Sequence, residues 1–127
     1  MITIETNVLV RMLVFLDTEQ AATIRRLASK HTLIVLPTVL LETEWVLRSL
    51  VKVDARSINA MFSAVLDTDG IEVREIGKVR RALDLHKAGM DFADALHLCL
   101  SDEATTFVTF DRDLKRRAHR HMPNASV

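Results

Sequence analysis

The sequence holds no tyrosine, one tryptophan, one cysteine, two prolines and three glycines in 127 residues. Each shortage excludes something. With Cys99 alone, an intrachain disulfide cannot form, which suits a reducing compartment. So few glycines and prolines exclude a collagen-like or low-complexity chain and predict short loops. The longest uncharged apolar run, Leu33 to Leu41, contains Pro37 and falls far short of the ~20 residues that span a bilayer. The first residues lack a basic stretch ahead of an apolar one, so no signal peptide and a cytoplasmic location are expected. Charge of one sign is not in excess: Lys plus Arg and Asp plus Glu number 17 each. The total therefore names no partner, and only the placement of charge is informative.

What is present is 49% hydrophobic and 27% charged, enough for one domain with a core and too little for two, so residues 1–127 are read as a single domain. Ile2-Thr3-Ile4-Glu5 alternates like a short strand, and Thr6 and Asn7 are good caps for a helix over 7–16. A second helix is expected over 19–29. Leu33 to Leu36 is an all-apolar run, the mark of a strand buried on both faces of a parallel sheet. Pro37 suits the first turn of the next helix, 38–50. Asp54 caps a helix over 55–66, Asp67 to Gly70 is a turn, and Ile71 to Val73 a third strand. Helix 78–87 ends at Gly89, Asp91 caps helix 92–101, and Phe107 to Phe110 is a fourth strand that ends at Asp111. A basic helix follows over 112–120, and 124–127 is a fifth candidate strand. This alternation predicts an α/β fold with a mostly parallel central sheet of four or five strands covered by helices.

Four acids can be argued to one place. Glu5 ends the first strand and Asp111 the fourth, and in a parallel sheet both ends lie on the edge where ligands bind. Glu42 sits among Leu40, Leu41 and Trp45, and Asp94 between Phe92, Ala93, Ala95 and Leu96. Asp91 and Asp94 share a helix face. Carboxylates crowded together repel and raise one another's pKa, and a divalent cation removes that cost. Oxygen ligands without His or Cys suit a hard ion such as Mg2+ or Mn2+, whose retained water can be activated against a phosphodiester. Singly, each acid also reads as a helix cap or a solvated charge. Trp45 and the phenylalanines read as core, and Cys99 as a buried thiol.

Four stretches in order resemble the motifs of PIN-domain proteins, especially VapC-type toxins of bacterial toxin–antitoxin systems, including the FitB-like branch. They are Glu5-Thr6-Asn7-Val8-Leu9-Val10-Arg11, Leu41-Glu42-Thr43-Glu44-Trp45-Val46-Leu47-Arg48-Ser49, Asp91-Phe92-Ala93-Asp94-Ala95-Leu96-His97 and Val108-Thr109-Phe110-Asp111-Arg112-Asp113-Leu114. The resemblance implies a three-layer α/β/α fold, a Mg2+- or Mn2+-dependent ribonuclease, a cognate antitoxin and a homodimer. It carries the catalytic acids onto Glu5, Glu42, Asp94 and Asp111, with Glu5, Asp94 and Asp111 on the metal. Thr6, Asn7, Asp91, Thr109 and Asp113 take supporting roles. Arg11 and Arg112, nearest the acids, are the expected contacts for RNA phosphates or for an antitoxin's carboxylates. Lys115 to Arg117 read equally as a solvated helix face.

The family's first motif normally opens with Asp, and this chain has Glu5, whose carboxylate reaches one methylene further. That departure supports a second expectation, a catalytically weakened module that acts by binding antitoxin or RNA. A phosphoacceptor receiver domain, which also gathers acids at strand ends, ranks low because Pro37 and Thr38, not an acid, follow Leu33 to Leu36.

Overall fold

The computed structural model describes residues 1–16, 18–101, 105–123 and 126–127. The chain clusters into two compact units, Met1–Ile76 and Gly77–Val127.

The first unit alternates strand and helix: β1 (Ile2–Thr3), α1 (Thr6–Val14), α2 (Glu19–Lys30), β2 (Leu33–Val35), α3 (Pro37–Val46), α4 (Ala55–Leu66) and β3 (Ile71–Val73). The three strands form one parallel sheet in the order β1-β2-β3, with Ile2 opposite Leu33 and Leu33 opposite Ile71. Helical crossovers are what parallel strands require. All of β2 is buried, as its unbroken apolar sequence predicts for a central strand. Local chemistry sets the helix starts. The Thr18 side chain accepts the Ala21 N–H at 3.1 Å, Pro37 occupies the first turn of α3, and Asp54 accepts the Ser57 N–H at 3.3 Å. The Asp54 carboxyl is also bonded by the Ser57 hydroxyl at 2.6 Å, and that bond holds its pKa below the usual value.

Helix α3 does not run unbroken to Leu50, as expected. At Leu47–Val51 it widens into a π-helical turn, which closes on Lys52 in the left-handed region (φ 68°). The Val53 N–H then bonds back to the Leu47 carbonyl at 2.8 Å. Helix α1 begins one residue early: Glu5, not Thr6 or Asn7, takes the cap position, and its side chain makes no capping bond.

The second unit is helical: α5 (Ile76–Lys87, its first residue in the other unit), α6 (Phe92–Leu100) and α7 (Arg112–His121). α5 ends in a Schellman turn. The Gly89 N–H bonds to the His86 carbonyl and the Met90 N–H to the Leu85 carbonyl, each at 3.0 Å, with Gly89 at φ 110°. Residues with a Cβ rarely adopt that angle, so a glycine is required here. Helix α7 is mostly charged or polar, yet Leu114, Ala118 and, just past its end, Met122, four apart, keep a narrow buried stripe.

The expected fourth strand is not part of the sheet, which has three strands among the described residues. Phe107 to Phe110 runs outside any ladder; the Phe107 N–H donates to the Ser126 carbonyl at 2.8 Å. Of the fifth candidate strand, Asn124 and Ala125 lie outside the described residues. Phe62 and Phe92 are core and Cys99 is buried, but Trp45 is 52% exposed and Phe110 fully so. Apolar content on α3 runs round the helix, so spacing alone did not tell which side faced inward.

Candidate functional site

In the first unit, Glu5 follows β1 and stands exposed at the cap position of α1. Thr6 is half-buried and Asn7 exposed. Arg11, one turn on, donates to the Gln20 side chain and, at 3.3 Å, to the Asn7 carbonyl, so it braces α1 against the start of α2. Glu42 is exposed rather than set in an apolar cleft. The acid that α3 buries is Glu44, at 4% exposure. Leu40, Glu44 and Leu47 fall on one helical stripe, and both leucines are fully buried. The Arg48 Nε donates to the Glu44 carboxylate at 2.8 Å, one turn away, while the arginine stays half-exposed. Arg48 is thus committed to an internal pair. The i, i+4 spacing was the signal for it. Thr43 beside it is completely buried, and its hydroxyl oxygen has no hydrogen-bond partner.

In the second unit three acids stand at helix starts. Asp91 caps α6 by accepting the Asp94 N–H at 3.2 Å, so the two carboxylates lie on the same first turn. Asp111 caps α7, accepting the N–H groups of Asp113 and Leu114 at 2.9 and 3.1 Å. The Asp94 carboxyl is pushed above its usual pKa, first by burial and then by the negative charges of Asp91 and Asp111, with His97 opposing. Asp94 thus senses the charges of both Asp91 and Asp111. Thr109 accepts the Asp111 N–H at 3.0 Å, which braces the chain before that acid. Asp113 points to cations instead: Arg117 Nε donates to it at 2.9 Å and Arg116 also pairs with it. The bond from Arg117 is the main reason its pKa falls below the usual value. Arg112 is exposed.

Among the described residues, neither unit contains three His, Cys, Asp or Glu side chains grouped tightly enough to hold a metal. The donor chemistry nonetheless fits a hard divalent ion. Carboxylate oxygens are the main donors, with the His97 imidazole near Asp94, and burial and like charge act on the Asp94 carboxyl. His86 is packed edge-on against Phe92, with ring centroids 5.4 Å apart, and takes no part.

An all-parallel α/β sheet and carboxylates placed at helix starts define the class: an α/β protein with acids gathered at helix N-termini. A family model for the PIN domain matches residues 2–120, and the chain belongs to the PIN-domain family. PIN domains are generally metal-dependent nucleases, commonly associated with toxin–antitoxin systems. No curated protein and no solved structure matches the chain significantly. The α/β class and the PIN resemblance are borne out, with a three-stranded sheet among the described residues. None of the described helices is long and apolar enough to cross a membrane.

Proposed function

We propose that this chain is the VapC-type, FitB-like toxin of a type II toxin–antitoxin pair, a cytoplasmic endoribonuclease that depends on Mg2+ or Mn2+. The family match over residues 2–120 carries this reading, and the crowded carboxylates around Asp94 support it. Glu5, Asp94 and Asp111 would hold the ion. Such an ion would supply positive charge against the scissile phosphate and would lower the pKa of an attacking water. Glu42, exposed on α3, would orient a water or bind a second ion. Asp91 and Thr109 fix the backbone that presents Asp94 and Asp111. Thr6 and Asn7 support the turn that follows Glu5, and Asp113 the start of α7. Arg112 contacts an RNA phosphate or an antitoxin carboxylate, and Arg11 does so only in exchange for its bonds to Gln20 and Asn7. A homodimer would cover Trp45 and Leu50, both exposed on or just beyond α3.

The test is cleavage of a structured RNA with Mg2+, with Mn2+ and with chelator, by the wild type and D94N. Cleavage that needs metal and disappears in D94N is the expected result; cleavage that survives in D94N refutes the assignment. A second reading, a binding module with weakened catalysis, is favoured by one observation, Glu5 in place of the family's usual Asp. A large gain in cleavage by E5D supports it.

A further inference from the structure

The loop that launches α6 is tied to α7 by one side chain. Arg117 is only a third exposed; its Nε donates to Asp113 Oδ2 at 2.9 Å and its Nη1 to the Ala88 carbonyl at 3.5 Å. Gly89 lets the guanidinium in: a Cβ there would lie 2.8 Å from Nη1. Ala88 and Gly89 lead directly through Met90 into Asp91, the cap of α6, while Asp113 lies in the first turn of α7, capped by Asp111. Arg116 also pairs with Asp113, but it is 72% exposed and its only described bond is that pair.

We propose that Arg117 is a positioning residue for the acidic site: by bridging Asp113 to the Ala88 carbonyl it fixes the start of α6 against the start of α7 and thereby sets the separation of Asp94 and Asp111. The proposal rests on the metal-dependent reading above. The two ends of the bridge lie close in sequence to the two caps: Ala88 precedes Asp91, which accepts the Asp94 N–H, and Asp113 follows Asp111, which accepts its N–H. A guanidinium suits the task because its planar fork can serve two acceptors at once, and a lysine ammonium of similar length cannot span them in the same geometry. Groups that orient ligands without touching the ion typically change metal affinity about 10- to 100-fold when removed.

The experiment titrates metal-free protein with Mn2+, reading free ion by electron paramagnetic resonance. Amide hydrogen exchange across 88–95 is followed in the same metal-free samples. R117A should bind Mn2+ about 10- to 100-fold more weakly and exchange faster over 88–95. R117K should recover only part of the affinity, and R116A should behave as wild type in both measurements. Saturable binding that R117A leaves intact, with exchange over 88–95 unchanged, overturns the proposal while the metal-dependent reading stands. Full recovery in R117K overturns it too, because charge alone would then suffice. No saturable binding by the wild type overturns the metal-dependent reading and this proposal together. Melting temperatures of the variants confirm that each is folded at the titration temperature.

Discussion

Two helices each carry a shielded acid, and their surroundings differ in kind. On α3, Glu44 is nearly inaccessible and receives a cation from its own helix, one turn along. On α6, Asp94 is less buried but faces more acids, Asp91 and Asp111, and its carboxyl is driven upward in pKa. The first arrangement is complete. The second carries the cost of burial and of like charge, with no cation described beside it other than His97. An acid's partners, more than its depth, separate a structural role from a site.

The comparison breaks if Asp94 proves dispensable. D94N should abolish metal-dependent RNA cleavage, and Mg2+ should raise the melting temperature of the wild type but not of D94N. Next in size is R48A, which strands the Glu44 carboxylate in the interior. We expect a loss of about 2–4 kcal/mol in urea unfolding. E44Q should lose less, because the half-exposed Arg48 then turns to water. Equal losses would show that the pair is not buried in the sense described. G89A should lose about 1–2 kcal/mol from its left-handed backbone alone. T43V should be neutral or gain up to about 1 kcal/mol, since it replaces a buried hydroxyl lacking a partner with a methyl of the same shape.

The smallest effects are in pH. A raised folded-state pKa means that Asp94 contributes stability below the ordinary carboxylate pKa, lost as pH rises through its raised value. Metal-free D94N should therefore melt higher than the wild type at neutral pH, with the gap closing in acid. Asp113 runs the other way. Its pKa is lowered, so its contribution is present above the ordinary value and lost as pH falls through the depressed one. D113N should melt slightly lower than the wild type at neutral pH and no lower in strong acid.

Much of this was legible because the signals are local. The caps at Asp54, Asp91 and Asp111, the stop at Gly89 and the buried β2 each depend on a few neighbouring residues. What failed needed distant partners. Phe107 to Phe110 has strand-like residues, but a strand exists only when another pairs with it. Glu42 and Glu44 are two residues apart and so point to different sides of the helix; both have apolar neighbours, which did not reveal that the core stripe runs through Glu44. Arg117 looked like one more cation on a basic helix, and nothing nearby in sequence points to the Ala88 carbonyl 29 residues away.

The wide turn at Leu47–Val51 has a mechanical consequence. In an ordinary spiral, residues three apart stack on one side, yet Leu47 is wholly hidden and Leu50 is 66% open to solvent. The looser coil swings the later leucine outward. Removing Arg48 or Ser49 would let the helix tighten to its usual pitch, yet it would leave Leu50 two places after Leu47, and residues two apart do not share a side, so Leu50 would stay on the open side and only the extra width of the coil would be lost.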